Sequence, residues 1–247
     1  AGLDADALDD RTTGFRAMVF RDGAGHHVIA YRGTNDRLDW KANIDQGVGR
    51  DAAQFDEAMA LAVLLRARAG DDLVLTGHSL GGGLAAAAAM ATGLTAVTCD
   101  ASGVHRHTAG SAARLRGPEL TAQDVLGETG SGQIRAYRTA TDPLTGLQES
   151  RATPDLPAAQ GTPIVLPVVD EDAQKAWARH GRRSGPVVGA VVAGALSGFN
   201  PVAAGLGAVA GAKAGSDAFT GLHGHLYHAI DAGMEALFPD GSDDHEP

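Results

Sequence analysis

The stretch LVLTGHSLGGGLAAAAAM, residues 73–90, places a serine two positions after one glycine and two before another: Gly77, Ser79 and Gly81. A serine hydroxyl attacks a carbonyl at neutral pH only when it is exposed at a defined point and a base takes its proton. The bare spacing is weak in a chain with 34 glycines, so the flanking residues must decide. Residues 73–75 are apolar and strand-forming, 77–83 predict a tight turn, and 84–91 predict a helix of small side chains. That strand, turn and helix order lifts a serine oxygen above the end of a sheet. The glycines suit a turn with unfavourable backbone angles and close strand–helix approach. The helix N-terminus aims N–H groups and partial positive charge at the point where an acyl oxyanion would form. Ser79 is therefore read as a nucleophile rather than a turn serine.

The hydroxyl needs a base and the base an orienting carboxylate, which in hydrolases built on this turn follow in the order Ser, Asp, His. Asp142 lies just past the predicted strand QIRAYRTATD (133–142), at the edge where open α/β sheets place their chemistry. Its plain alternative is an aspartate opening an Asp-Pro turn. Asp100, which also ends a predicted strand, is the rival acid. For the base, His223 in the loop entering a final predicted helix is preferred, with His228 inside that helix and His225 at its start as alternatives. His78 adjoins the nucleophile and is read as a neighbour rather than the base. His26, His27, His105, His107 and His180 show no metal-ligand spacing and are read as surface or packing residues.

These residues need a frame. The 247-residue chain is long enough for one large core. The apolar runs FRAMVF (15–20) and HVIAYR (27–32) flank RDGAGH and predict a hairpin or two sequential strands. From 54 to 68 the apolar Phe55, Met59, Ala62 and Leu65 recur at helical spacing, with Gly70 at the expected end. LTAVTCD (94–100) predicts a strand, an irregular polar stretch follows, and 133–142 predicts another. Strand alternating with helix implies an α/β fold: a mostly parallel sheet with helices on both faces. Beyond Asp142 come a proline-rich loop to about 167, a charged segment 170–183, and a 27-residue uncharged stretch 186–212 split by Asn200-Pro201. Its halves are each too short to span a bilayer as a helix and predict a glycine/alanine-rich hairpin. A helix at 225–238 and an acidic tail at about 239–247 close the chain.

A formal net charge of −10 removes the basic stripe that nucleic-acid binding requires. The lone Cys99 excludes an internal disulfide framework and is expected as a small buried hydrophobe. No charged-then-apolar leader opens the sequence, so any export signal is expected outside it.

The chain resembles the class 3, fungal-lipase-like branch of the α/β-hydrolases, and more closely their bacterial secreted phospholipase-type members. The resemblance rests on AYRGTND with Asp39-Trp40, GHSLGGGLA at 77–85, TDPLT at 141–145 and LHGH at 222–225, and covers about residues 13–230. It implies an oxyanion hole from Thr34 and the N–H of Leu80, and no metal or organic cofactor. Two features depart from the family: VTCDASGV stands where a glycine-proline turn is usual, which keeps Asp100 in contention, and the insertion at about 184–215 separates acid from base.

The expectation is one α/β-hydrolase domain over 1–247: a serine-dependent carboxylic ester hydrolase of lipase or phospholipase A type, delivered outside a bacterial cell. Its expected partners are lipid or phospholipid, the membrane surface through apolar contact, and a neutralising partner protein. The rival readings are a membrane-inserting toxin acting through 186–212 and a soluble-ester hydrolase or thioesterase.

Overall fold

Alternation at period two sets which face of the sheet is buried. In Phe15–Arg21 the side chains of Phe15 and Ala17 are buried while Met18 is 62% and Phe20 52% exposed, so this strand is packed on one side only. A computed structural model of the chain describes residues 7–33, 53–139, 142–149 and 156–167.

The described elements run β1 (Asp9–Asp10), β2 (Phe15–Arg21), β3 (His27–Tyr31), α1 (Ala53–Ala69), β4 (Leu73–His78), α2 (Leu80–Thr92), β5 (Ala96–Cys99), α3 (Arg106–Arg116), α4 (Ala122–Glu128), β6 (Ile134–Thr139), α5 (Pro143–Gln148) and β7 (Thr162–Leu166). The strands form one sheet in sequence order, β1 to β7. The β1, β2 and β3 pairings are antiparallel, confirming the hairpin, while β3, β4, β5 and β6 pair in parallel. The fold is α/β, with a mostly parallel sheet and helical connections.

Register places Ile29, Leu75, Ala96 and Ile134 in one row across four strands, and all four are fully buried. Against this face lies a helical layer. Phe55, Ala58, Met59, Ala62 and Leu65 form the buried stripe of α1, as the periodicity predicts. The Tyr31 hydroxyl donates to the Ala58 carbonyl at 3.0 Å, and burial pushes the phenol pKa far up, so it stays protonated. Gly70, at φ 77, closes α1 by donating to the Arg66 carbonyl. All thirteen residues of α2 are buried, and it packs against both α1 and α3. Its run of alanines fits that position, because only small side chains leave room for close neighbours on several sides.

The irregular stretch predicted after β5 instead holds α3 and α4. Their apolar contrast is low: α3 buries only Thr108, Ala109, Ala112 and Ala113 amid arginines. Its start is marked by the His105 ring accepting from the His107 N–H, and that of α4 by a Thr121–Asp124 capping box. Likewise α5 and β7 lie within the predicted proline-rich loop. Cys99 is half-buried rather than fully buried.

In the β2–β3 turn, Asp22 Oδ2 and His26 Nδ1 are 2.6 Å apart and exposed. The hydrogen bond from His26 holds Asp22 below the ordinary 3.8, and its counterpart holds His26 above the ordinary 6.5. The depressed acid contributes above its ordinary value and is lost as pH falls; the raised base contributes below its ordinary value and is lost as pH rises through the raised one. The turn is therefore tightest between about 3.8 and 6.5. NMR titration of His26 is expected to give a midpoint above 6.5 that falls in Asp22→Asn; equal midpoints would contradict the pairing.

Contacts divide the chain into two units, Ala1–Arg138 with Leu144–Ile164, and Thr139–Pro143 with Val165–Pro247. The 170–183 segment, the 186–212 stretch, the 225–238 helix and the tail lie outside the described residues. Among the described residues no helix is long and apolar enough to cross a membrane.

Candidate active site

The parallel strand β4 runs to His78 and α2 begins at Leu80, leaving Ser79 alone as the turn. This is tighter than the predicted turn over 77–83, since Gly81, Gly82 and Gly83 already belong to the helix. Ser79 has φ 57 and ψ −124, a combination that favours glycine and that a side-chain-bearing residue adopts only under constraint. Serine at a helix N-cap normally accepts from the helix backbone; here the hydroxyl makes no such bond. Ser79 is half-buried, so its Oγ is left to other chemistry at a reachable point.

Two glycines make this geometry possible. A β-carbon on Gly81 would stand 2.2 Å from the Tyr31 carbonyl oxygen, and one on Gly77 2.2 Å from the Gly81 oxygen. Strand and helix therefore touch backbone to backbone around the serine. Gly33, just past β3, belongs to the same cluster: a β-carbon there would lie 2.8 Å from the His78 carbonyl and 3.6 Å from Ser79 Cβ.

Main-chain bonds hold Ser79 from both sides. Its N–H donates to the Cys99 carbonyl at 3.0 Å, and its carbonyl accepts from Gly82, Gly83 and Ser102 at 3.0, 3.2 and 3.0 Å. Leu80, buried, opens α2, and the N–H groups of Leu80 and Gly81 precede the first bonds to the Ser79 carbonyl, so they have no acceptor within the helix. A negatively charged oxygen beside Ser79 would meet these donors and the positive end of the helix dipole.

Asp100 is fully buried and has φ 41; with Ser79 it makes up the non-glycine residues of positive φ among those described. It is next to Cys99, whose carbonyl holds Ser79. Asp142 is also buried, three residues past β6, its N–H donating to the Thr139 carbonyl at 3.2 Å. It lies in the second unit and Ser79 in the first. Thr34, His223, His225 and His228 fall outside the described residues. The structure thus brings together Ser79, Leu80, Gly33 and Asp100. Sequence reading missed the role of Cys99 and Ser102, whose contribution is through main-chain atoms; the departure of VTCDASGV from the usual turn was its one signal.

A mostly parallel sheet in which β4 leads through a strained serine into a helix is the α/β-hydrolase arrangement. The family model described as "Phospholipase-like: Tle-like phospholipase domain" matches residues 1–206, and the chain belongs to that family. The extracellular phospholipase A1 of Serratia liquefaciens is 42% identical over 165 residues, 67% of this chain and 49% of the relative. The chain thus spans about half the length of that relative. Among solved structures it is similar to a fungal lipase–inhibitor complex described as a model for interfacial activation in lipases, at 16% identity and a TM-score of 0.40, over 65% of this chain and 64% of that one.

Proposed function

We propose that the chain is a serine-dependent lipid ester hydrolase of phospholipase A type, acting on membrane phospholipid outside the cell that makes it. The observation that carries the reading is Ser79: strained, at the head of α2, its hydroxyl unused in capping, in a chain of the phospholipase-like family. The 42% identity to an extracellular phospholipase A1 supports both substrate class and destination.

In this reading Ser79 Oγ attacks the ester carbonyl while His223 takes its proton, and Asp142 orients the imidazole. The negative oxygen is held by the N–H of Leu80 and by Thr34. His223 then protonates the leaving alcohol, and water, activated by the same histidine, releases the fatty acid and restores Ser79. His228 and His225 are the alternative bases. In this reading 1–247 is one hydrolase domain, and a neutralising protein is the expected partner of such an effector.

The test is fatty acid release from phosphatidylcholine and phosphatidylethanolamine vesicles by the full chain, Ser79→Ala and His223→Ala, each checked by circular dichroism. Release by the native chain and its loss in both variants is the expected result. Undiminished release by Ser79→Ala overturns the mechanism. Vesicle leakage that survives Ser79→Ala without fatty acid release would favour the membrane-inserting toxin, and hydrolysis of monomeric esters alone the soluble-ester enzyme.

A further inference from the structure

Ser79 cannot hold φ 57, ψ −124 by itself. Main-chain bonds reach it from the last residue of β5, Cys99, and from the loop that follows. Within four positions this segment supplies both an acceptor for the Ser79 N–H, the Cys99 carbonyl, and a donor to the Ser79 carbonyl, the Ser102 N–H, each at 3.0 Å. A chain continuing straight from β5 presents its carbonyl and N–H groups alternately to either side. Turning both groups onto one neighbouring residue requires a reversal between them, and it falls at Asp100, at φ 41. Aspartate, like asparagine, tolerates this left-handed region better than other side-chain-bearing residues.

The reversal is braced from outside. The Asp100 N–H donates to the Tyr137 carbonyl of β6 at 2.9 Å, and Gln148 Nε2 of α5 donates to the Ala101 carbonyl at 3.3 Å. Ala101 and Ser102 pack directly on the first turn of α2: β-carbons on Gly82 and Gly83 would meet Ala101 Cβ at 2.7 Å and Ser102 Oγ at 2.1 Å. The loop is thus wedged between β6 and α5 on one side and the nucleophile turn on the other.

We infer that the Cys99–Ser102 loop is the clamp that keeps Ser79 in its reactive conformation, and that Asp100 is its positioning residue through its left-handed backbone rather than as the acid of the catalytic group. The inference rests on Ser79 being the nucleophile. It makes backbone permissiveness at position 100, not the carboxylate, the property that governs rate.

The experiment compares kcat and KM on a soluble p-nitrophenyl ester for the full chain, Asp100→Gly, Asp100→Ala and Ser79→Ala, with folding checked by circular dichroism. Glycine keeps the positive φ and removes the carboxylate; alanine removes both. The clamp predicts that kcat of Asp100→Ala falls by about tenfold or more with KM nearly unmoved, and that Asp100→Gly recovers most of that loss. A fall of about 10⁴-fold in Asp100→Gly, the size expected for loss of an orienting carboxylate, overturns the clamp and assigns Asp100 as the acid. Equal kcat in the alanine and glycine variants overturns it as well. If Ser79→Ala stays active, the nucleophile reading itself has failed, an outcome the Asp100 variants cannot mimic.

Discussion

Ser79→Ala is expected to lower ester hydrolysis by about 10⁶-fold, the scale seen when a serine nucleophile is removed, while the protein stays folded. Ser79→Gly should be equally inactive yet more stable than the native chain. At φ 57, ψ −124 a β-carbon costs on the order of 1–3 kcal/mol, and glycine removes that cost, offset in part by its greater freedom when unfolded. The expected net gain is about 1 kcal/mol, visible as a raised Tm. A residue whose replacement abolishes turnover and strengthens the fold has been kept for chemistry against stability. Thermal melts and initial rates of the three proteins check both halves. A Ser79→Gly protein that melts below the native one would show that the turn stores no strain.

Gly81→Ala should be strongly damaging to both fold and activity. The added methyl would stand 2.2 Å from the Tyr31 carbonyl oxygen and 2.9 Å from backbone carbon. Tyr31 pairs with Gly77 in the middle of the parallel sheet and its ring is fixed by the bond to Ala58, so it has little room to retreat. Overpacking of a rigid core typically costs 1–3 kcal/mol, and more where backbone must move; here about 3 kcal/mol or more is expected, with activity lost even in the fraction that folds. Gly23→Ala, in the β2–β3 turn, is the control, since a β-carbon there meets nothing within 4 Å. Urea denaturation of both variants measures the difference, and equal midpoints would mean that strand and helix are not in contact at the serine.

The parts of this fold legible in the sequence are those written in side chains. Alternation marked β2 and β3, the Phe55, Met59, Ala62 and Leu65 spacing marked α1, and Gly77-x-Ser79-x-Gly81 between an apolar strand and a small-residue helix marked the tight turn at Ser79. The helices α3 and α4 were not legible, because Ala109, Ala112 and Ala113 bury little area and give faint periodicity between arginines. The Cys99–Ser102 clamp was illegible for a different reason: its bonds use backbone N–H and C=O groups that every residue but proline carries. Only the strain at Asp100 distinguishes it, and a φ angle leaves no mark in composition. Asp142 was expected at the edge of β6 and is buried there, while the choice among His223, His225 and His228 depends on residues outside those described.

The most direct test of the central claim is to treat the native chain with a p-nitrophenyl alkylphosphonate, which forms a stable bond only with an activated serine, and to map the adduct by peptide mass spectrometry. One phosphonylated peptide is expected, with the modification on Ser79 and none in Ser79→Ala. Labelling of another serine, or labelling that persists in Ser79→Ala, would contradict it.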